Sequence, residues 1–425
     1  MVPLAGLVDV AFLGHLTEIR NLAGVALATV LFDYLYWTFG FLRMGTTGLT
    51  AQANGRGDGQ AVLLTLLRNG FLALAIGLGI LLLQWPIQAI GFGFLRAEPG
   101  VLAAGRAFYN ALIWSAPATL INYVLIGWFL GREQSSKVLL LSVVSNVSNI
   151  VFDYLFIVRW GWESTGAGVA TALSQYLTLG VGFLLLKLVA PEVLEKQPLR
   201  FEQLLSQVFS LDTLTSGFAL NRDLIIRTFA IVSVFAAFTN LGSAFGTVLL
   251  ATNAILLQVL TLGAYFVDGL AFATESLAGF FKGSGQPQAL SRLLRLAVVS
   301  SIALGLGFAG IFNLFPVFLL SLISDHSEIV NEALQYVFWL LPILGIGSVA
   351  YMLDGYLLGL TESKALRNGM LLAAGIGFCP VALIAWNLHS AHLLWFALMI
   401  FMMARVFFLS TYVPETLRNS EVSAL

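Results

Sequence analysis

Residues Thr247 to Phe281 read TVLLATNAILLQVLTLGAYFVDGLAFATESLAGFF. Only Asp268 and Glu275 carry charge in a run longer than the about 20 apolar residues that take a helix across a bilayer core. The run is too long for a membrane-barrel strand and lacks its alternation. It is one of many. The approximate spans are 1–17, 22–52, 61–95, 101–131, 137–158, 165–190, 214–241, 247–281, 288–324, 330–360, 367–387 and 390–412, the first of them partial. Polar, Gly- and Pro-rich pieces separate them, such as 54–59 and 283–287. Several runs exceed the minimum, which predicts tilt or extension beyond the bilayer. The fold class is therefore an all-α integral membrane protein with twelve transmembrane helices.

Composition points the same way. The 425 residues are 59% hydrophobic and 10% charged, with a mean hydropathy of +0.90. Soluble domains run near 25% charged, and a soluble chain this apolar could not cover its own surface. A soluble enzyme, a nucleic-acid binder and a disordered chain are excluded. The net charge of −1 points to no electrostatic partner. The single cysteine, Cys379, rules out a disulfide framework and a Cys-based metal cluster. Of the four histidines, only His389 and His392 are close, and they read as a solvated interfacial pair rather than metal ligands. No HExxH pattern and no Ser/His/Asp triad is recognisable, so neither an enzyme nor a cofactor is expected.

The chain repeats itself. A shift of 228 residues sets Leu22-Ala23 on Leu250-Ala251, Ala26 on Ala254, Leu42 on Leu270 and Leu49 on Leu277. It also sets Gly55 and Gly57 on Gly283 and Gly285, Tyr123 on Tyr351, Gly127 on Gly355 and Ser135 on Ser363. Two six-helix lobes follow, 1–195 and 214–425, joined by a polar cytoplasmic linker over 196–213. An even number of spans per lobe gives both the same orientation, with a pseudo-twofold axis along the membrane normal. Position 1 corresponds to position 229, yet the second lobe's first span begins near Leu214. About 15 residues of the first helix are thus unaccounted for, by truncation or a misassigned start methionine. No basic segment precedes the first apolar run, so Met1-Val2-Pro3 does not open a signal peptide.

Basic residues set the orientation. With the loops after every second span inside, fifteen Lys and Arg fall on the cytoplasmic side and four, Arg20, Arg96, Arg106 and Arg159, outside. Arg43 and Arg405 lie within spans. The expected location is the cell (inner or plasma) membrane, multi-pass, with both termini cytoplasmic.

An ionisable group within a bilayer costs several kcal/mol and so needs a reason. Asp9 sits in Gly6-Leu7-Val8-Asp9-Val10-Ala11-Phe12, a setting that suits a carboxyl loading and releasing a proton near neutral pH. Asn146, Asn149 and Asp153 share a helix face at i, i+3 and i+7. Such a face coordinates a cation, holds a proton or hydrogen-bonds to a neighbouring helix. Asp268 and Glu275, two turns apart, suggest an aqueous cavity or a cationic ligand, although Glu275 lies near the cytoplasmic end, where water could reach it. Asp354 has the apolar Ile126 as its repeat mate, so the lobes differ chemically there. Asp33 lies in an aromatic span. Arg43 and Arg405 either snorkel or neutralise a cavity carboxylate. Arg222, Asp223 and Arg227 read as a cytoplasmic anchor or gate latch, with an i,i+4 pair between Asp223 and Arg227. A cavity lined by Phe, Tyr and Met would suit flat apolar cations through cation–π contact.

Several of these stretches also occur together in a known family. Pro3-Leu4-Ala5-Gly6-Leu7-Val8-Asp9, Gly14-His15-Leu16 and the run from Phe39 to Ala53, FGFLRMGTTGLTAQA, resemble the DinF branch of the MATE transporters (multidrug and toxic compound extrusion). So do Asn221-Arg222-Asp223, Tyr265-Phe266-Val267-Asp268-Gly269 with Glu275, and Leu353-Asp354-Gly355. The likeness covers nearly the whole chain; the short N-terminus departs from it. It implies alternating access and export of small organic compounds, amphipathic or cationic, driven by H⁺ or Na⁺ entry. It also implies a cation site at Asp9, Asn149 and Asp153, with Thr171 as a fourth member, and the same residues would hold Na⁺. Asp33, Arg43, Asp268, Glu275 and Asp354 are candidates for a substrate cavity or second carboxylate cluster. The expected partners are a small-molecule substrate and the lipid bilayer, with the chain a monomer. Export of an organic anion such as citrate, and flipping of a lipid-linked oligosaccharide, are the alternatives. The latter needs a strongly basic cavity.

Overall fold

The computed structural model describes residues 19–93, 97–194, 211–323 and 327–422. Among these, eleven helices are long and apolar enough to cross a membrane. They are α1 (Arg20–Gly55), α2 (Gly59–Leu82), α3 (Pro99–Gly131), α4 (Ser135–Arg159), α5 (Glu163–Val189), α6 (Leu220–Ser243), α7 (Thr247–Gly283), α8 (Pro287–Leu314), α9 (Val337–Gly359), α10 (Ser363–Asn387) and α11 (Ala391–Arg418). No strand occurs among the described residues. The span expected over 1–17, with Asp9, lies outside them.

Where the helices depart from the expected runs, a proline is usually the cause. The run over 61–95 is two helices, because Pro86 has no N–H for the carbonyl at the end of α2, and a separate helix occupies Gln84–Gly93. The run over 288–324 breaks at Phe315, and Pro316 opens the short helix Pro316–Ser321. In α10, Pro380 follows a π-helical turn over Ala373–Phe378, which absorbs the mismatch its ring creates. A second π-helical turn, Tyr154–Arg159, follows directly on Asp153 and has no proline.

The 228-residue repeat is written into the backbone. Left-handed residues pair across it: Gly57 (φ 69°) with Gly285 (65°), Glu133 (59°) with Thr361 (59°), and Gly161 (69°) with His389 (49°). Each pair ends a helix at the same place in the two halves. The close helix crossings repeat too. A Cβ on Gly127 would strike the Arg43 carbonyl, and one on Gly355 the Ala271 carbonyl, the matching atom 228 residues on.

Two compact units result. One lies within Met1–Thr46 and Asp58–Leu214, the other comprises Thr47–Gly57 with Thr215–Leu425. The end of α1 therefore clusters with the second unit, for a steric reason. Gly48 faces the Leu358 backbone, Gly55 the Phe280 carbonyl, Gly279 the Ala51 methyl and Gly283 the Gln52 carbonyl. Glycine on both sides lets the backbones approach closely, as membrane helices require when no water drives them together. Gln52 adds side-chain bonds, its Nε2 donating to the Gly359 carbonyl at 2.9 Å and the Thr361 hydroxyl at 3.2 Å. The second unit's core is apolar and aromatic, with Phe238, Leu256, Trp395 and Phe401 fully buried.

Candidate functional site

α4 is turned inside out relative to a soluble helix. Asn149 and Asp153 are 1% and 0% exposed, while Val147 and Val151 on the same helix are 53% and 56% exposed. In a bilayer that is the arrangement of a helix with an apolar lipid face and a polar interior face. The Asn149 Nδ2 donates to the Thr171 hydroxyl on α5 at 3.2 Å, so three of the four residues expected at the cation site stand on two packed helices. The Asn149 Oδ1 is buried without a hydrogen-bond donor. An orphaned amide oxygen one turn from a buried carboxylate is the kind of group a bound cation or a proton donor satisfies. Asn146, third on the expected face, bonds instead to its own helix, Nδ2 to the Ser142 carbonyl at 2.7 Å. Asp9 lies outside the described residues.

The remaining first-unit candidates gather around α1 and α3. Asp33, Tyr36 and Arg43 all lie within electrostatic reach of Tyr123. Asp33 is exposed and Arg43 half-buried. The Tyr36 hydroxyl shares a 2.9 Å hydrogen bond with Ser115.

The second unit places the other carboxylates differently from expectation. Glu275 is fully buried, so water at the helix end does not account for it. The tight crossing there explains why, since Gly359 packs against the Glu275 backbone. Asp268 is half-buried and within electrostatic reach of Tyr351. Asp354 is clamped. Its Oδ2 accepts from the Arg227 Nη2 at 2.5 Å and the Arg405 Nη2 at 2.6 Å. Arg405 is fully buried and lies 4.9 Å from the centroid of the Tyr351 ring. Arg405 is thus a counter-ion rather than a snorkelling residue. Arg227 is a correction to the sequence reading, which placed it on the cytoplasmic side. It is 8% exposed and reaches α9, so a third basic residue lies within a span. Its position well inside the run 214–241 was the available signal. Asp223 accepts from Arg367 at 2.7 Å and Arg222 at 3.2 Å, joining α6 to α10.

His389 and His392 turn to different neighbours. His389 stacks on Trp386, and His392 lies 4.7 Å from the Tyr336 ring centroid. Burial and the adjacent Glu332 carboxylate push the Tyr336 phenol above its usual range. Among the described residues, no three His, Cys, Asp or Glu side chains gather as a metal site.

Comparison with known proteins gives this arrangement a family. The MatE family model matches residues 1–155 and 224–384. DNA damage-inducible protein F of Escherichia coli (strain K12) is 35% identical over 406 residues, 95% of this chain and 86% of that protein. A probable multidrug resistance protein NorM of Rhizobium meliloti is 27% identical over 372 residues, 85% of this chain and 75% of that protein. A solved outward-facing conformation of a multidrug resistance MATE family transporter of the MOP superfamily superposes with a TM-score of 0.87, at 18% identity, over 99% of this chain and 92% of that one. The twelve-helix fold is therefore that of the MATE transporters, which work in a membrane on small molecules and are not enzymes. On the family model and the Escherichia coli relative together, the chain belongs to the MATE multidrug efflux transporter family.

Proposed function

We propose that the chain is a secondary antiporter that exports small organic compounds, amphipathic or cationic, in exchange for H⁺ or Na⁺. Asp9, Asn149, Asp153 and Thr171 form the coupling-ion site. The observation that carries this reading is the wholly buried Asp153 beside the orphaned Asn149 oxygen, on a helix that turns its apolar face outward. Ionisable residues within membrane spans are rare and mark ion or proton pathways. Ion entry neutralises or bridges Asp153 and Asp9 and changes how the first helix packs, which favours release of substrate outside. Substrate loading from the cytoplasm favours the ion's departure. Coupling then requires that ion and substrate differ in affinity for the two access states.

The test is substrate export from proteoliposomes under a pH gradient and, separately, a sodium gradient. Asp153→Asn should reduce gradient-driven export at least tenfold while leaving the thermal unfolding midpoint within a few degrees. Undiminished export by that variant removes Asp153 from the mechanism, and ion flux under neither gradient removes the antiporter reading.

One observation favours a second reading. The Arg227–Asp354–Arg405 cluster sets two guanidinium groups on one carboxylate, and guanidinium groups are also the usual partners of an organic anion's carboxylates. Citrate-driven ion flux in the same liposomes, lost on Arg227→Gln, would select it.

A further inference from the structure

The loop joining α7 to α8 folds over a groove of about 670 Å³. Its floor is apolar, with Leu277 and Phe281 from α7 and Leu293 and Leu296 from α8, and its rim is polar, with Gln286, Gln288 and Arg292. Leu296 is 69% exposed, so the floor opens on the lipid side of two membrane-crossing helices. Arg292 and Arg295 are exposed, three residues apart on one face of α8, and neither is in an ion pair. The corner is particular to the second half of the chain. At the repeat-equivalent places of Gln286, Arg292 and Arg295 the first half has Asp58, Leu64 and Leu67. There Asp58 caps its own helix through Ala61 N at 2.9 Å, and Leu64 is buried.

We infer that this groove binds an anionic phospholipid, its phosphate on Arg292 and Arg295 and an acyl chain along Phe281, Leu277 and Leu296. The chemistry divides as such a lipid divides, with the Arg292 guanidinium at the rim, Arg295 three residues further along the same helix, and an aliphatic and aromatic floor that runs into the span. A free phosphate would use the rim alone and leave the floor empty. A zwitterionic lipid would fill the floor but bring its own cation to the arginines. A headgroup bearing net negative charge uses both. The bias of basic residues places this loop at the cytoplasmic leaflet, where a juxtamembrane arginine gains from the negative surface potential.

Native mass spectrometry of the full chain, released from detergent with phosphatidylglycerol or with phosphatidylcholine of the same acyl chains, tests this. The expected result is at least tenfold tighter binding of one phosphatidylglycerol than of phosphatidylcholine. In Arg292→Gln/Arg295→Gln the preference should fall below threefold, and inorganic phosphate at millimolar concentration should not compete. Arg159→Gln, at an exposed arginine expected at the opposite membrane face, should keep the preference. Leu296→Asn, which keeps the arginines, should weaken binding of both lipids. Equal binding of the two lipids by the unaltered chain, or an unchanged preference in the double variant, overturns the inference. Full competition by phosphate reduces the site to an anion site without a lipid.

Discussion

Asp354 shows how one side chain can look like a proton carrier and be held as something else. A lone intramembrane aspartate invites a transport role, but this one has a guanidinium on either side of a single carboxylate oxygen. A buried ion pair gains little over an apolar replacement of the whole cluster, whereas removing one partner leaves bare charge behind. Asp354→Asn should therefore destabilise the chain by about 3–5 kcal/mol. The triple change Arg227→Met, Asp354→Leu and Arg405→Met should recover most of that loss. Thermal unfolding in detergent measures both. A single variant as stable as the parent would mean that the aspartate is neutral in the folded state, and therefore free to carry a proton. Asp153 is fully buried too, on a helix face that also carries the unsatisfied Asn149 amide oxygen.

Glycines decide how the helices meet. Gly279, the repeat mate of Ala51, packs against the Ala51 methyl and the Gly359 carbonyl, so a Cβ there has no room. Gly79 in α2 has nothing within 4 Å of its missing Cβ. Gly279→Ala should cost about 1–3 kcal/mol through overpacking. Gly79→Ala should gain up to about 1 kcal/mol, because alanine is the better helix former. Unfolding midpoints of the two variants, measured side by side, give the contrast. Equal shifts would show that the crossing between the end of α1 and α7 is not what holds Thr47–Gly57 to the second unit.

At the scale of the whole chain, charge predicts a topology. With Arg227 inside a span, fourteen basic residues against four predict that the loops after alternate spans face the cytoplasm. A reporter that is active only in the cytoplasm should work when fused after Gly131 or Gly359, and fail when fused after Gly161. Activity at Gly161 with silence at Gly359 would reverse the orientation. It would also move the lipid groove to the outer leaflet.

Much of this was legible beforehand, because a bilayer imposes few and strict rules. Span length, alternation of loops, the 228-residue offset and the polar face of α4 all follow from counting residues along one helix, and each is local or periodic. The family resemblance came from short runs such as Phe39 to Ala53. Breaks within helices were missed where a proline interrupted an otherwise apolar run, as at Pro86 and Pro316, since hydropathy is blind to a missing N–H. Which distant segments meet is settled only once the chain is folded. That Arg227 crosses to Asp354, that Glu275 is walled in at a glycine crossing, and that Thr47–Gly57 leaves the half it is written in all depend on contacts between distant segments. The sequence determined which residues face away from lipid, because the solvent enforces that one helix at a time; the partner each one finds there is set by packing.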